Sequence, residues 1–173
     1  SIQLLSEKGY AQTSMRDIAR TMGVSLGLCY RYFDSKQILF NTAIDLYIEE
    51  CCNSYLAILH DSTITIKDKI DALFTSIGDE HSNMQYYDFF HRVENEELHE
   101  QLSIKLCKYM YPHLLEAVKK AIAAKEIYIE NPEALISFII YGQVGLLSKS
   151  NIDHHEVAKL LNQYVNQLMK FNP

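Results

Sequence analysis

The chain has 173 residues, of which 48% are hydrophobic and 22% are charged, and its formal net charge is −6. This composition is typical of a globular protein and excludes a disordered chain. No apolar run approaches the ~20 residues of a membrane span and no signal peptide is visible, so we expect a cytoplasmic protein of one packed domain, or two small ones that share a core.

Charge is unevenly distributed along the chain. Residues 1–40 carry five basic and three acidic side chains, a net +2, whereas residues 41–173 carry the remaining −8. A slightly basic N-terminal part in front of an acidic remainder suits a protein that touches nucleic acid at one end, although an ordinary solvated surface could produce the same asymmetry. The four cysteines show no CxxC spacing, which predicts reduced thiols and leaves a redox role for Cys51, Cys52 or Cys107 open.

The first three predicted helices are short. The first covers about residues 1–8 and ends at Gly9; since the chain begins with Ser1 inside an apolar pattern, we expect this helix to be cut short. The second covers about residues 14–21, with Ser14 and Asp17 at the spacing of a capping box. Gly23 follows at the position where a helix ends in a left-handed residue, and Ser25 begins a third helix over about residues 25–31. Helix, glycine turn and helix is the arrangement that places a second helix in the major groove of DNA.

The rest of the chain is also predicted to be helical, which gives an all-α fold. Apolar residues at helical spacing predict further helices, and Pro112 is expected to interrupt or kink the fourth of them. These helices cover about residues 35–59, 66–77, 84–93, 96–125, 131–147 and 153–168.

The N-terminal residues resemble the DNA-binding domain of the TetR family of bacterial transcriptional regulators. The resemblance rests on Gly9-Tyr10, the run Ser14 to Ala19, the turn Gly23-Val24-Ser25, Gly27, and Tyr30 to Phe33 followed by Ser35-Lys36. It implies a helix-turn-helix head over residues 1–38 and a helical ligand-binding and dimerisation body over residues 39–173.

The resemblance also implies a set of DNA-binding residues in the head. Four of these residues are expected to bind DNA phosphates and so position the protein on the duplex: Thr13, Ser14, Tyr32 and Lys36. Ser25 could also bind a phosphate, from the N-terminus of its helix. Arg31 could contact a guanine or a phosphate. The full expected set is Thr13, Ser14, Ser25, Leu26, Gly27, Leu28, Tyr30, Arg31, Tyr32 and Lys36. Two of them depart from the family pattern, since Leu26 stands where a basic residue is common and Leu28 where a small hydroxyl residue is common.

The last two predicted helices carry more apolar residues than one buried face needs, which indicates burial on two sides. The resemblance implies that they pair with their copies in a homodimer, with small residues such as Gly142 allowing close approach; ordinary core packing is the alternative. The expected interface residues are Ile139, Gly142, Leu146, Leu161, Tyr164, Val165 and Leu168.

Aromatic residues crowd the middle of the body and predict a chamber for a small organic effector. An aromatic-rich core is the equally simple alternative for each of them. The candidate ligand-binding residues are Tyr86, Tyr87, Phe89, Phe90, His91, Cys107, Tyr109 and Tyr111. The spacing of His91 and His99 matches no metal site, and we expect neither a metal nor a cofactor.

Together these features predict a ligand-responsive regulator, most simply a repressor, that binds a palindromic DNA operator as a homodimer and is released by a small molecule. No phosphate loop, nucleophile elbow or HExxH motif is present, so no catalytic residue is expected. The alternative is a helical sensor or interaction protein whose head no longer reads DNA.

Overall fold

The computed structural model describes residues 2–80, 86–90, 92, 95–147 and 153–171. The fold is all-α, as the sequence predicts, apart from two strands of two residues each. The helices are α1 (Ile2–Lys8), α2 (Met15–Thr21), α3 (Leu26–Tyr32), α4 (Lys36–His60), α5 (Ile66–Glu80), α6 (Tyr87–Phe90), α7 (Glu96–Ala123), α8 (Pro132–Gly142), α9 (Val144–Leu147) and α10 (His154–Leu168). None of these described helices is long and apolar enough to cross a membrane.

Helices α1 to α3 pack around a small core of their own, which we call the head core. Its buried members are Leu4, Met15, Ile18, Ala19, Cys29 and Leu39. The predicted capping box is present, because Ser14 Oγ accepts from the Asp17 amide while the Asp17 carboxylate accepts from the Ser14 amide. Gly23 has a φ of +66°, so the turn between α2 and α3 needs a residue that enters left-handed space without strain.

Helix α4 joins the head to the body. Ser35 caps its N-terminus, and Leu39 belongs to the head core. The next residue, Phe40, is fully buried in a separate and larger cluster that also contains Ile44, Ile48 and Cys52. A single continuous helix therefore contributes side chains to both cores.

Helix α7 is the longest in the described part of the chain and runs through Pro112 without interruption. Of the two expected outcomes, an interruption or a kink, the interruption is therefore wrong; α7 stays continuous and packs against α4 and α8, although the proline removes one backbone donor. The helix predicted over residues 131–147 is instead divided into α8 and α9, with Gln143 between them. Of the helix predicted over residues 84–93, the structure shows α6, and residues 84, 85, 91 and 93 lie outside the described part.

Helix α10 packs along α5, and two short strands close the body beside it. Strand β1 (Ile127–Tyr128) pairs antiparallel with β2 (Lys170–Phe171), Ile127 opposite Phe171. The sequence gives no signal for strands of two residues, because the alternation of side chains needs a longer run to be visible.

Candidate DNA-binding surface and ligand cavity

Helix α3 presents one face to the head core and the other to solvent. Cys29 anchors the inner face at 5% exposure, and Leu26 packs against the same core. On the outer face Leu28, Tyr30 and Tyr32 are 39%, 50% and 70% exposed. Gly27 is exposed, and no other part of the chain comes within 4 Å of where its Cβ would be. The outer face is therefore open to a large partner along its whole length.

Both helix N-termini of the helix-turn-helix are capped by serine. The Leu28 amide donates to Ser25 Oγ at 3.1 Å, which leaves the Ser25 hydroxyl proton available to an acceptor in solvent. Ser14 Oγ donates to the Asp17 carboxylate at 2.6 Å, and this bond together with the Ser14 amide lowers the pKa of Asp17. Because its hydroxyl proton is used within the capping box, Ser14 must exchange this bond before it donates to a phosphate.

Arginines supply positive charge next to α3. Arg16 and Arg31 are exposed, and neither forms an ion pair within the described residues. Arg20 and Lys8 both contact Asp17, at 3.0 and 3.7 Å. The unpaired guanidinium groups are suited to phosphate oxygens, or in the case of Arg31 to a guanine edge.

The structure corrects the expectation that Thr13 contacts phosphate. Its side chain is 1% exposed, and its hydroxyl donates to the Gly9 carbonyl at 2.8 Å. Thr13 therefore fixes the turn that connects α1 to α2 and has no surface to offer a ligand.

Lys36 lies at the start of α4 and contacts the same turn. Its Nζ donates to the Tyr10 carbonyl at 2.7 Å and lies 4.2 Å from the centroid of the Tyr10 ring. An ammonium group has three protons, so a phosphate contact would come in addition to this bond. The structure gives Lys36 a packing role that the sequence did not reveal.

An apolar cavity of about 200 Å³ lies inside the body, between α4, α5, α7, α8 and α10. Helix α7 contributes the longest run of lining residues, His99, Leu102, Ser103, Leu106, Cys107, Met110, Leu114, Ala117 and Val118. Tyr47, Tyr55 and Leu59 come from α4; Ile70, Leu73 and Phe74 come from α5; Ile136, Ile139 and Ile140 come from α8. Such a largely apolar space is suited to a small organic molecule.

The aromatic residues expected to form the chamber are only partly in its wall. Phe90 and Cys107 line the cavity as predicted. Phe89 is buried and its carbonyl accepts from the Asn95 side chain at 2.6 Å, but it does not line the cavity. Tyr86, Tyr109 and Tyr111 pack around the body core without lining the cavity, so for these the core alternative is correct. His91 lies outside the described residues, and the side chain of Tyr87 is likewise not described.

The buried thiols of the body are unsuited to redox chemistry. Burial raises the pKa of Cys52 to about 12 and that of Cys107 to about 11, so both stay protonated at neutral pH. Cys107 Sγ also donates to the Ile140 carbonyl at 3.3 Å. All four cysteines lie in the described residues, and none forms a disulfide. In the same part of the chain no three His, Cys, Asp or Glu side chains converge on a common point.

The apolar residues of α8 and α10 divide into an inner and an outer set. Leu161 and Val165 are 8% and 6% exposed, so they have little surface to offer a dimer interface, and the core alternative fits them. Ile139 lines the cavity and Leu146 packs against the body core, but both are only partly buried, so their assignment to a dimer interface stays a prediction. Of the expected interface residues, Gly142, Tyr164 and Leu168 are exposed.

The outer set forms two stripes, which we call the apolar face. Phe138, Tyr141, Gly142 and Gly145 follow one another at helical spacing along α8 and α9, and Phe138 is 69% exposed. Leu160, Tyr164 and Leu168 repeat every fourth residue on α10. Large apolar side chains that are exposed along such stripes indicate a protein contact.

Sequence reasoning missed Phe138 and the aliphatic wall of the cavity. Phe138 could have been found from its spacing to Tyr141 and Gly142, which places it on the same stripe. Leu102, Leu106, Met110 and Leu114 repeat every fourth residue on α7, a signal that the more conspicuous aromatic residues obscured.

Comparisons with known proteins agree on the type of protein. Residues 1–43 match the family model described as bacterial regulatory proteins, tetR family. The chain is similar to the uncharacterized HTH-type transcriptional regulator YerO of Bacillus subtilis, with 25% identity over 98% of this chain and 62% of that protein. It is also similar to the HTH-type transcriptional repressor KstR2 of Rhodococcus jostii, with 29% identity over 54% of this chain and 48% of that protein. The matched region thus spans less than two thirds of the length of either relative.

Solved structures share the fold over nearly the whole chain. A TetR-family transcriptional regulator from Pectobacterium atrosepticum superposes with a TM-score of 0.67 at 17% identity, covering 96% of this chain and 86% of that one. The reduced form of Escherichia coli NemR superposes with a TM-score of 0.63 at 13% identity, covering 98% and 93%.

Proposed function

The chain belongs to the TetR family of bacterial regulatory proteins, and on this premise we propose that it regulates transcription by binding DNA as a homodimer. Helix α3 would lie in the major groove, and a small organic effector in the body would release the protein from its operator. Such a regulator acts in the cytoplasm, where the bacterial chromosome lies.

The observation that carries this proposal is the exposed outer face of α3. The side chains of α3 that face outwards, Leu28, Tyr30 and Tyr32, are exposed and do not pack in the head core. Three large side chains exposed to water do not stabilise the fold, so a binding role is the better explanation for them. An apolar Leu28 suits a thymine methyl, and the Tyr32 hydroxyl suits a phosphate oxygen. The neighbouring Arg16 and Arg31 supply the charge that draws the helix to DNA.

Dimerisation follows from the size of the head and from the apolar face. One helix of seven residues reads too few base pairs for high specificity, and two heads about one DNA turn apart, ~34 Å, would read a palindrome. The apolar face offers a self-complementary surface for the partner copy, with Gly142 and Gly145 allowing the helices to approach closely. We therefore propose a twofold dimer through α8 and α10.

Helix α4 connects the cavity to the head. Leu39 lies in the head core, while Tyr47, Tyr55 and Leu59 of the same helix line the cavity. A second connection runs through α6, since Phe90 lines the cavity and Arg92 donates to the Ser6 carbonyl of α1 at 3.3 Å. A ligand that moves α4 or α6 would change the spacing of the two heads, and a differential affinity of about 1–3 kcal/mol between the two conformers is enough to alter operator occupancy.

Release by the effector corresponds to repression, which is also the activity named for the relative KstR2. In this mode the free protein occupies the operator and the ligand-bound protein leaves it.

Selection of duplexes from a randomised library tests the proposal. The chain is incubated with the library at moderate salt, and the retained duplexes are sequenced. We expect enrichment of a palindrome with half-sites about one turn apart. A folded, dimeric protein that enriches no sequence would contradict the assignment of α3 as a DNA-reading helix.

A further inference from the structure

The lining of the cavity is elongated along the bundle. Its residues on α7 extend from His99 to Val118, about five helical turns, and those on α5 extend from Ile66 to Ile77. A ligand that extends along the helices therefore contacts more of this lining than a compact molecule does.

Polar groups collect at the end of the cavity near the head. Helix α8 runs antiparallel to α7, because Lys119 pairs with Glu133 at 2.6 Å while Cys107 donates to the Ile140 carbonyl. From this direction we infer that Gln143 lies at about the level of Ser103, one turn from His99. The Ser103 hydroxyl donates to the His99 carbonyl at 2.9 Å, so towards a ligand it offers an acceptor. His99, Ser103 and Gln143, which we call the polar end, supply hydrogen-bonding groups to the lining of the cavity.

Lys69 lines the opposite end of the cavity. Its Nζ donates to the Leu59 carbonyl at 2.8 Å, which ties the start of α5 to the last turn of α4. This bond holds the ammonium group at the wall.

Between the two ends most of the wall is apolar. Leu106, Met110 and Leu114 of α7 and Ile70 and Phe74 of α5 line it with hydrocarbon and thioether groups. The lining also contains the hydroxyls of Tyr47 and Tyr55 and the thiol of Cys107, and that thiol donates to the Ile140 carbonyl. Each methylene placed against the aliphatic part of the wall is stabilised by burial, whereas a charged group placed there would lose its bonds to water.

The charges of the wall exclude a cationic ligand. Among the residues that the structure describes, no aspartate or glutamate lines the cavity, and Lys69 supplies a positive charge. A buried cation would find no partner there, at a cost that hydrocarbon contacts do not offset.

From the elongated lining, the polar end, the largely apolar wall and the absence of carboxylates among the described lining residues, we propose that the effector is an unbranched aliphatic chain with one uncharged oxygen-bearing end, a fatty alcohol. Its oxygen lies beside His99, Ser103 and Gln143, and its hydrocarbon chain lies along Met110 and Leu114. The proposal rests on the proposed function in taking this cavity as the effector site.

Calorimetric titration with two probe series tests the ligand class. The first series is octanol, decanol and dodecanol, each below its solubility limit. The Kd should fall about fourfold for each added methylene until the cavity is filled, which is the effect of about 0.8 kcal/mol per buried methylene. The second series keeps a dodecyl chain and changes the end, from dodecanol to dodecanoate to dodecyltrimethylammonium, and each of the two charged ends should bind at least tenfold more weakly than the alcohol. A Kd independent of chain length, a charged end that binds as tightly as the alcohol, or cholate binding more tightly than dodecanol would overturn the proposal.

Two variants locate the binding mode. Leu114→Phe narrows the apolar stretch and should weaken dodecanol at least tenfold, whereas Ile104→Phe, on the exposed side of the same helix, should leave the Kd unchanged. Gln143→Leu removes a donor and an acceptor from the polar end and should weaken dodecanol about tenfold. Leucine is no larger than glutamine, so this variant does not overpack the cavity wall, and it still tests the binding mode if Leu114→Phe fails to fold. Unchanged binding in folded Leu114→Phe and Gln143→Leu would overturn the proposed position of the ligand.

The titration tests the ligand class and the duplex selection tests the proposed function, so a negative result in one does not imply a negative result in the other. A chain that selects a palindrome but binds no member of either aliphatic series leaves the proposed function intact and overturns the ligand class. A chain that binds dodecanol with the expected length dependence but selects no duplex supports the ligand class and overturns the proposed function.

Discussion

Lys36 donates a hydrogen bond from Nζ to the carbonyl oxygen of Tyr10 across 2.7 Å, and the same ammonium lies 4.2 Å from the centroid of the Tyr10 ring. The Tyr10 ring in turn contacts Phe40 at a centroid distance of 4.9 Å. These contacts tie the turn between α1 and α2 to the first two turns of α4. The orientation of the head on the body therefore depends on Lys36.

Replacing Lys36 should destabilise the fold. We expect Lys36→Ala to lower the free energy of unfolding by about 1–2 kcal/mol, because it removes a part-buried hydrogen bond and a cation–π contact together. Urea unfolding followed by circular dichroism measures the change. Lys120→Ala serves as the control: its exposed pair with Glu116 at i, i+4 should contribute less than about 0.5 kcal/mol. Equal effects of the two replacements would mean that the contact with Tyr10 stabilises nothing.

The salt dependence of DNA affinity should distinguish a phosphate contact made by Lys36 from one made by Tyr32. Lys36→Ala should reduce the slope of log K against log salt by about one unit, because one phosphate is no longer neutralised. Tyr32→Phe should weaken binding to all sequences by about fivefold without changing that slope, because it removes a neutral donor. Fluorescence anisotropy on the selected duplex, at four salt concentrations, measures both.

The matched control for Tyr32 is Tyr128→Phe, which removes an equally exposed hydroxyl from β1, outside the head. Its DNA affinity should equal that of the unmodified chain. If Tyr32→Phe also binds DNA with unchanged affinity, Tyr32 makes no phosphate contact.

A charged residue introduced into the apolar face should dissociate the proposed dimer. Tyr164→Glu and Leu168→Glu each place a carboxylate where the partner copy would bury it unpaired, and we expect the dimer Kd to rise at least a hundredfold. Analytical ultracentrifugation over a range of protein concentrations measures it. Leu46→Glu changes a side chain that is 62% exposed on α4, outside the apolar face, and should leave the assembly state unaltered. Tyr164→Glu protein that sediments like the unmodified chain would place the interface elsewhere.

The pairing of α5 with α10 should depend on pH through Asp71. Burial alone would raise the pKa of Asp71, but hydrogen bonds from Lys67, Asn162 and Asn166 outweigh it and lower the pKa. A carboxyl group whose pKa is lowered by folding stabilises the fold above its ordinary pKa near 3.8 and loses that contribution as the pH falls through the lowered value. Asp71→Asn should therefore lower the melting temperature at pH 7 and converge with the unmodified chain below pH 3.

The size of the Asp71 effect should stay below about 1 kcal/mol, because its side chain is 37% exposed and solvent screens the charge. Glu133→Gln removes one partner of a more exposed ion pair and provides the comparison. A melting difference between Asp71→Asn and the unmodified chain that persists undiminished at low pH would show that charge is not its cause.

The sequence predicted the features whose causes are local. Ser14, Ser25 and Ser35 cap their helices because each lies within three residues of the amide that it accepts from. Cys29 and Ile18 could be placed in the head core because short helices with one apolar face have few ways to pack. These interactions depend on spacing alone, which the sequence contains in full.

Features that depend on distant partners could not be predicted. Leu161 and Tyr164 are both apolar residues of α10, and only the position of α5 decides that Leu161 is buried while Tyr164 faces outwards. Thr13 could be an exposed hydroxyl or a buried one until the Gly9 carbonyl is known to lie next to it. The cavity is lined by aliphatic residues from five helices, so no single segment indicates it.

The most direct test of the account is the number of chains bound to the selected duplex. Sedimentation equilibrium on the complex should give two chains per palindrome, and a duplex with one half-site scrambled should bind at least a hundredfold more weakly. Saturating dodecanol should then dissociate the two-chain complex. One chain per duplex with equal affinity for intact and half-scrambled sites would contradict a dimer that reads DNA with two α3 helices.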